Sequence, residues 1–256
     1  MSILQKRKKI SVPPYSVLAR IYDRVMSHVN YRHWSEYVEQ LVNHHGHIAS
    51  TIYDFSCGTG TLCAHLADRG WRVAGCDASI EMIKIAGSKY YDQEFGRRFF
   101  GADICYPPVR VDLDIVLSLY DSMNYLLDES AFRRALESIY KVIRPGGLFI
   151  FDISTIHNSL TDFANFYQRE NYRDASFVRK SKYDKKEQIQ ENYFEIALHE
   201  DREHVYCERH LQRMYQIARV KEFIRDSQFE LLGSYRDFTF RPDVQKCERV
   251  HFVLKK

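Results

Sequence analysis

This 256-residue chain has no long apolar run: nothing in it approaches the roughly 18 consecutive apolar residues that a membrane-crossing helix needs. Nor does an apolar signal-type core follow the basic start Lys6-Arg7-Lys8-Lys9, which reads as a solvated, frayed terminus. Charge of one sign is scarce too. The formal excess is only +3, too small to argue for a surface that grips nucleic acid. The six cysteines, Cys57, Cys63, Cys76, Cys105, Cys207 and Cys247, form no C-x-x-C pair and no zinc-type spacing. Several fall inside expected strands or helices, where a reduced thiol acts as a small apolar residue, and this points to a reducing, cytoplasmic setting. Internal repeats and low-complexity segments are missing as well.

What is present is an ordinary globular composition, 45% hydrophobic and 28% charged. The length suits one α/β domain with an elaboration and a substantial core. Apolar positions Val17, Leu18, Ile21, Tyr22 and Val25 predict a helix over Tyr15 to Met26, and Trp34 to Val42 predicts another. Strands and helices then alternate. Strands are expected at Thr51–Phe55, Arg72–Asp77, Arg98–Asp103, Leu113–Leu119 and Leu148–Ile153. Helices are expected at Thr61–Arg69, from Ser79 (an N-cap) to Lys89, and over Glu129–Val142 behind the cap Asp128. Arg144-Pro145-Gly146-Gly147 reads as a turn. Such alternation implies a parallel sheet with crossover helices.

After about residue 156 the pattern changes. Phe177–Tyr183, Gln188–Leu198 and His204–Arg213 alternate polar with aromatic or aliphatic residues, with turns at Asp184-Lys185-Lys186 and Glu200-Asp201-Arg202. This predicts an inserted antiparallel meander. A helix Ile217–Asp226 and strands near Phe229–Phe238 and Arg249–Leu254 follow.

The chemistry-bearing stretch is Ile52 to Gly60. An apolar strand ends in Asp54, and a glycine turn opens straight into a helix. Glycines there let the backbone pass close beneath a ligand, and the helix start offers unpaired N–H groups. A second strand ends at Asp77, about where a ribose-binding acid stands in a nucleoside-holding βαβ unit.

In their order along the chain, these segments resemble the class I S-adenosylmethionine-dependent methyltransferases. Asp54-Phe55-Ser56-Cys57-Gly58-Thr59-Gly60 is similar to the family's first motif, although Ser56 replaces its first glycine. Gly101-Ala102-Asp103-Ile104, Asp114 to Leu119 and the Arg-Pro-Gly-Gly turn match later segments. A bacterial subgroup with an antiparallel cap matches more closely, through Tyr22-Asp23-Arg24-Val25-Met26, Asp121 to Leu126, Glu208 to Tyr215 and Glu248 to Val253. Several of its members methylate amines, including amino-sugars.

The resemblance implies a Rossmann-like seven-stranded sheet over 49–156 and 214–256, an N-terminal helical lid over 1–48, and a substrate-side β cap over 157–213. It implies S-adenosylmethionine as cofactor and a small-molecule acceptor methylated at nitrogen or oxygen. Asp54, Ser56, Cys57, Gly58 and Gly60 would hold the methionine end. Asp77 would hold the ribose, with Ala78 and Met82 beside it. Asp103 and Ile104 would meet the adenine, and Leu119 would border the methyl. Tyr15, Tyr22 and Trp34 would close the lid, and Tyr120, Asn124, His210 and Arg213 would face the acceptor.

Plainer readings stand beside these. Asp54 could only brace the glycine turn, and Tyr15, Tyr22, Tyr31 and Trp34 could only pack helices on the body. His210 is either a half-buried cap histidine or, like Tyr22, a candidate for catalysis. Strand alternation sets Arg213 on the opposite face from His210. No essential base is required, since displacement at a sulfonium is driven largely by proximity and water exclusion. His44-His45-Gly46-His47 reads as a polar helix end, and no metal is expected. No Asn-Pro-Pro-Tyr motif stands at Leu119-Tyr120-Asp121-Ser122, which argues against DNA as the acceptor. The rival readings are a non-catalytic cofactor-binding module and a nicotinamide-dependent oxidoreductase. The expected assembly is a monomer or a homodimer.

Overall fold

A computed structural model describes residues 7–90, 98–107 and 112–256; Lys6 lies outside them. Lys8 and Lys9 of the basic start are not frayed. Lys8–Val12 forms β1, which pairs in parallel with a cap strand, His204–Arg213 (β10). The physical reason is the open edge of β10: its unpaired backbone groups are satisfied by β1, while Lys9 reaches Glu195 at 2.6 Å.

The helix expected over Tyr15 to Met26 is also broken up. A 3-10 turn (Leu18–Ile21) leads into a single helical turn, α1 (Tyr22–Val25), while α2 (Tyr31–His44) is regular. The backbone N–H groups of Tyr15, Val17 and Leu18 all donate to the Glu208 carboxylate, which holds the entry in a non-helical path. The apolar spacing survives this, since Leu18, Ile21 and Val25 pack against Phe177, Phe194 and Ile196 of the cap.

The central sheet has β2 (Thr51–Asp54), β3 (Arg72–Asp77), β4 (Phe99–Gly101), β5 (Leu113–Ser118) and β6 (Ile143–Ser154), with β11 (Glu230–Arg236) and β12 (Arg249–Lys255). Its order is β11-β12-β6-β5-β2-β3-β4. Among the described strands β12 is reversed, running antiparallel to both β11 and β6, while the remaining pairs are parallel. Helices cover both faces. Ile115 and Leu117 pack with α2 and with α3 (Thr61–Asp68), whereas Val116 packs with α5 (Glu129–Val142) and α7 (Ile217–Arg225). A strand buried on both sides in this way needs the near-continuous apolar run that β5 carries. Ser79 caps α4 (Ile80–Lys89) and Asp128 caps α5, each accepting a backbone N–H.

Arg144-Pro145-Gly146-Gly147 does not end a segment. It is an irregular excursion inside β6: Leu113 pairs with Ile143, and Ile115 next pairs with Leu148. Gly146 has φ +77°, and a Cβ on Gly147 would stand 2.6 Å from the Ile143 side chain. Lys256 ties down the kink with backbone bonds to both glycines.

The cap is a five-stranded sheet ordered β1-β10-β9-β8-β7, with β7 (Asn165–Asn171), β8 (Ala175–Asp184) and β9 (Ile189–Leu198). Its two tight turns are held by Asp184 and Asp201, each accepting two backbone N–H groups. A short helix, α6 (Ile156–Thr161), leads into it. Strands β1 and β7 exceed the expected meander. All six cysteines are buried thiols. Among the described residues no helix is long and apolar enough to cross a membrane.

Candidate active site

The chain leaves β2 toward β3 and β4 on one side and returns at β5 on the other. Such a switch point opens a crevice at the carboxyl ends of the strands. A cavity of about 380 Å³ lies there. Its floor is the glycine turn, which is braced twice. Asp54 Oδ1 accepts the Ser56 N–H at 3.0 Å, and Asp77 Oδ2 accepts the Gly58 N–H at 2.9 Å. Asp77 Oδ1 also accepts the Ser79 N–H at 2.8 Å, linking the turn to the cap of α4.

Gly58 lines the cavity at φ +54°, and a Cβ built on it would meet no protein atom within 4 Å. The room beside this backbone is therefore free for a ligand. Gly60 serves differently: at φ +76°, its missing Cβ makes way for the Phe99 ring, 2.8 Å from where that atom would be. Gly60 does not line the cavity. Asp77, Ala78, Met82, Asp103 and Ile104 form one wall. Burial pushes Asp54 up to about 7 and raises Asp77, against the pull of the N–H bonds each accepts.

The N-terminal segment, expected as a lid, borders the crevice. Tyr15 and Tyr22 border the cavity, and Asp23 anchors the lid to the turn by accepting from Thr59 Oγ1 (2.5 Å) and Lys89 Nζ (2.6 Å). Beside the turn, Tyr22, Tyr31 and Trp34 enclose a smaller space of about 50 Å³ with Asp54, Cys57 and Leu119.

A further cavity of about 140 Å³ lies under the cap. It shares Tyr15, Tyr22, Tyr120 and Tyr125 with the first, so the two spaces meet at four phenol rings. Tyr120 and Asp121 hold φ values of +62° and +54° at this junction. Two consecutive non-glycine residues in the left-handed region store strain, which the surroundings must hold in place. Here the Asp121 N–H donates to Asp152 Oδ2 at 3.0 Å, and the Arg249 guanidinium bridges Asp121 and Asp152 while lying over the Trp34 and Tyr120 rings. Burial pushes Asp152 up to about 6 and Tyr120 up to about 12.

His210 sits fully buried between Glu208 (Nε2 to Oε2, 3.0 Å) and Tyr125 (Nδ1 to Oη, 3.2 Å). Glu208 already takes three backbone N–H groups and can only accept, so Nε2 donates to it, and in the neutral ring Nδ1 accepts from Tyr125. The Tyr125 hydroxyl then accepts from Tyr15 at 2.5 Å. This orders a run of hydroxyls and imidazole from the cavity junction to a buried carboxylate.

Of the residues the sequence singled out, Tyr15, Tyr22, Ser56, Gly58, Asp77, Ala78, Met82, Asp103, Ile104, Leu119 and Tyr120 all border the first cavity. Trp34, Asp54 and Cys57 border the smaller space, and His210 the cap-side one. Arg213 points away and donates to the Leu127 carbonyl. Asn124 is buried and spent on the backbone of Ser154 and Arg213. His44 stacks on Phe240 at the end of α2, and His45 bonds Tyr235. Sequence reasoning passed over Asp23, Arg179, Glu208 and Arg249 as individual site residues. Glu208 and Arg179 had a signal, a charge at an inward position of an alternating strand; Arg249 and Asp23 had only their place in segments that resemble the subgroup.

The methyltransferase domain family matches residues 52–147. A putative methyltransferase of Geobacillus sp. (strain WCH70) is 29% identical, over 94% of this chain and 99% of the relative. An S-adenosylmethionine-dependent methyltransferase from Clostridium acetobutylicum superposes with TM-score 0.79 at 21% identity, over 94% of this chain and 98% of the other. CalS10, an amino pentose methyltransferase from Micromonospora echinaspora, superposes with TM-score 0.72 at 15% identity, over 92% and 96%. At these identities the structural likenesses carry the fold.

Proposed function

We propose that the chain, whose residues 52–147 match the methyltransferase domain family, is an S-adenosylmethionine-dependent methyltransferase that methylates nitrogen or oxygen of a small molecule held in the cap-side cavity. The observation that carries this reading is the pair of cavities meeting at Tyr15, Tyr22, Tyr120 and Tyr125. One has the volume and the two acids, Asp77 and Asp103, for a nucleoside, and the other meets it at a ring of phenols.

The chain's groups fit the cofactor. The open space over Gly58 suits its backbone-hugging methionine end, Asp77 retains acceptor capacity for ribose hydroxyls, and Asp103 lies on the wall expected for the adenine. These residues would hold a cofactor whose chemistry would be an activated methyl group, transferred to an acceptor lone pair with the thioether as leaving group. The protein's share is to position and dehydrate. Tyr15 and Tyr22 exclude water from above, and the phenol faces favour the positive charge that an amine acquires on methylation. Burial holds the Tyr15 and Tyr22 hydroxyls well above their ordinary range, so both stay protonated at neutral pH, with Tyr15 donating to Tyr125. The amino pentose methyltransferase with this fold makes an amine a reasonable first acceptor to test.

Titration calorimetry with S-adenosylhomocysteine tests the reading. The wild type should bind, and Asp77→Ala should lose roughly 10- to 100-fold, the size of one or two charge-assisted hydrogen bonds. Absence of binding in both proteins would sink the proposal.

A further inference from the structure

Two guanidinium groups line the cap-side cavity, and their situations differ. Arg249 is closed off by Asp121 and Asp152. Arg179, on β8, has no carboxylate partner among the described residues. Its Nε (3.2 Å) and Nη2 (2.8 Å) both donate to one atom, Asn192 Oδ1, which Ser181 Oγ also reaches at 2.5 Å. That leaves the Nη1–Nη2 edge without an acceptor among the described residues.

Three rings surround the group: Phe163, Phe166 and Phe194 lie 5.2, 5.1 and 5.5 Å from its central carbon. The carboxylates that could have served it are engaged elsewhere. Asp121 gives one oxygen to Arg249 and the other to Gln212 Nε2 (2.5 Å), and Glu208 is filled by three backbone N–H groups and His210. Burial disfavours the Arg179 charge. A cation withdrawn from water among aromatic rings, with a free donor edge facing a cavity, lacks only its anion.

We infer that Arg179 is a specificity residue and that the acceptor carries a carboxylate, which docks on the Nη1–Nη2 edge. This rests on the methyl-transfer reading and narrows its substrate class to small acids bearing an amine or hydroxyl. A carboxylate fits better than a phosphate. The free edge offers two parallel N–H groups and a single positive charge, which match a planar monoanion. Size agrees: a cavity near 150 Å³ takes a benzene-sized body, so about 140 Å³ holds an acceptor core of similar size.

The test uses protein saturated with S-adenosylhomocysteine and three probes, benzoate, benzamide and phenyl phosphate, titrated into wild type, Arg179→Lys and Arg179→Met. Wild type should bind benzoate at least tenfold more tightly than benzamide and more tightly than phenyl phosphate. Arg179→Met should lose that preference, and Arg179→Lys should keep part of it. S-adenosylhomocysteine affinity should be the same in all three proteins, which confirms that the variants are folded. Equal binding of benzoate and benzamide, no benzoate binding at all, or a benzoate preference that survives in Arg179→Met would overturn the inference. Tighter binding of phenyl phosphate would assign the edge to a phosphate instead. Failure of S-adenosylhomocysteine itself to bind would strike the methyl-transfer reading, whereas normal binding without anion preference would strike only this one.

Discussion

The carboxylate of Glu208 accepts the backbone N–H of Tyr15 at 2.7 Å, across 193 positions of sequence. The same side chain holds Val17 and Leu18 (2.7 Å each) and His210 (3.0 Å). Lid and cap are therefore one mechanical unit, and Tyr15 keeps its φ of +60° because a buried anion captures the amides around it. Glu208→Gln keeps the shape but turns an NH₂ group toward N–H donors, leaving at least one unsatisfied. We expect a stability loss of about 2 kcal/mol by chemical denaturation and weaker S-adenosylhomocysteine binding as Tyr15 drifts. Unchanged values for both would mean that the clamp does not hold the lid.

Asp54 makes stability depend on pH in an unusual direction. Burial raises its folded value to about 7, above the roughly 3.9 of an unfolded aspartate. A raised folded value means that the neutral acid is favoured in the fold. The stabilising contribution is thus complete below about pH 4 and is lost as pH rises through about 7. Asp54→Asn is neutral throughout and keeps an acceptor for the Ser56 N–H. The stability of wild type relative to Asp54→Asn should fall steadily between about pH 4 and 7, by on the order of 4 kcal/mol, and then level off. A gap independent of pH, measured by urea denaturation across that range, would refute the assignment.

Arg249→Met should be the costliest single change at the site. Arg249 neutralises Asp121 and Asp152 together, and Asp152 is fully buried. Its removal leaves buried carboxylates without a counter-charge, a loss of about 3–5 kcal/mol. The strained backbone of Tyr120 and Asp121 would lose its restraint as well, so the four-phenol junction should come apart. A melting temperature within about 2 °C of wild type would contradict this.

The glycine-turn side of the site was legible in the sequence because each of its features is local. A strand-ending acid, a glycine turn and a helix cap lie within a few residues of one another, and Ser56, Gly58, Asp77 and Asp103 all came out bordering one cavity. The sheet was legible for the same reason, through apolar runs such as Leu113–Ser118. What stayed hidden depends on contacts distant in sequence. Nothing near Tyr15 announces that Glu208 will hold it out of a helix, and nothing near Lys8 announces that β10 has an open edge. The Arg-Pro-Gly-Gly turn misled because local turn chemistry does not reveal that the sheet resumes pairing beyond the kink. Arg213 attracted notice over Arg179 because it follows His210 closely, although only Arg179 faces the cavity.

The hydroxyls of Tyr15 and Tyr125 invite a double-mutant cycle that tests the ordered run ending at Glu208. Their oxygens are 2.5 Å apart, and Tyr125 also donates to His210 Nδ1. In Tyr15→Phe, Tyr125 loses a donor partner but keeps its own bond to His210, so the cost should be about 1 kcal/mol. In Tyr125→Phe, both that bond and the bond to the imidazole go, and a buried Nδ1 acceptor is left bare, so the cost should be about 2 kcal/mol. Adding Tyr15→Phe to Tyr125→Phe removes a hydroxyl whose partner is already gone. The double variant should therefore be no worse than Tyr125→Phe alone, a coupling of about 1 kcal/mol between the two sites. Additive losses would show that the hydroxyls act independently. An equal cost for the two single changes would show that the bond from Tyr125 to His210 contributes nothing.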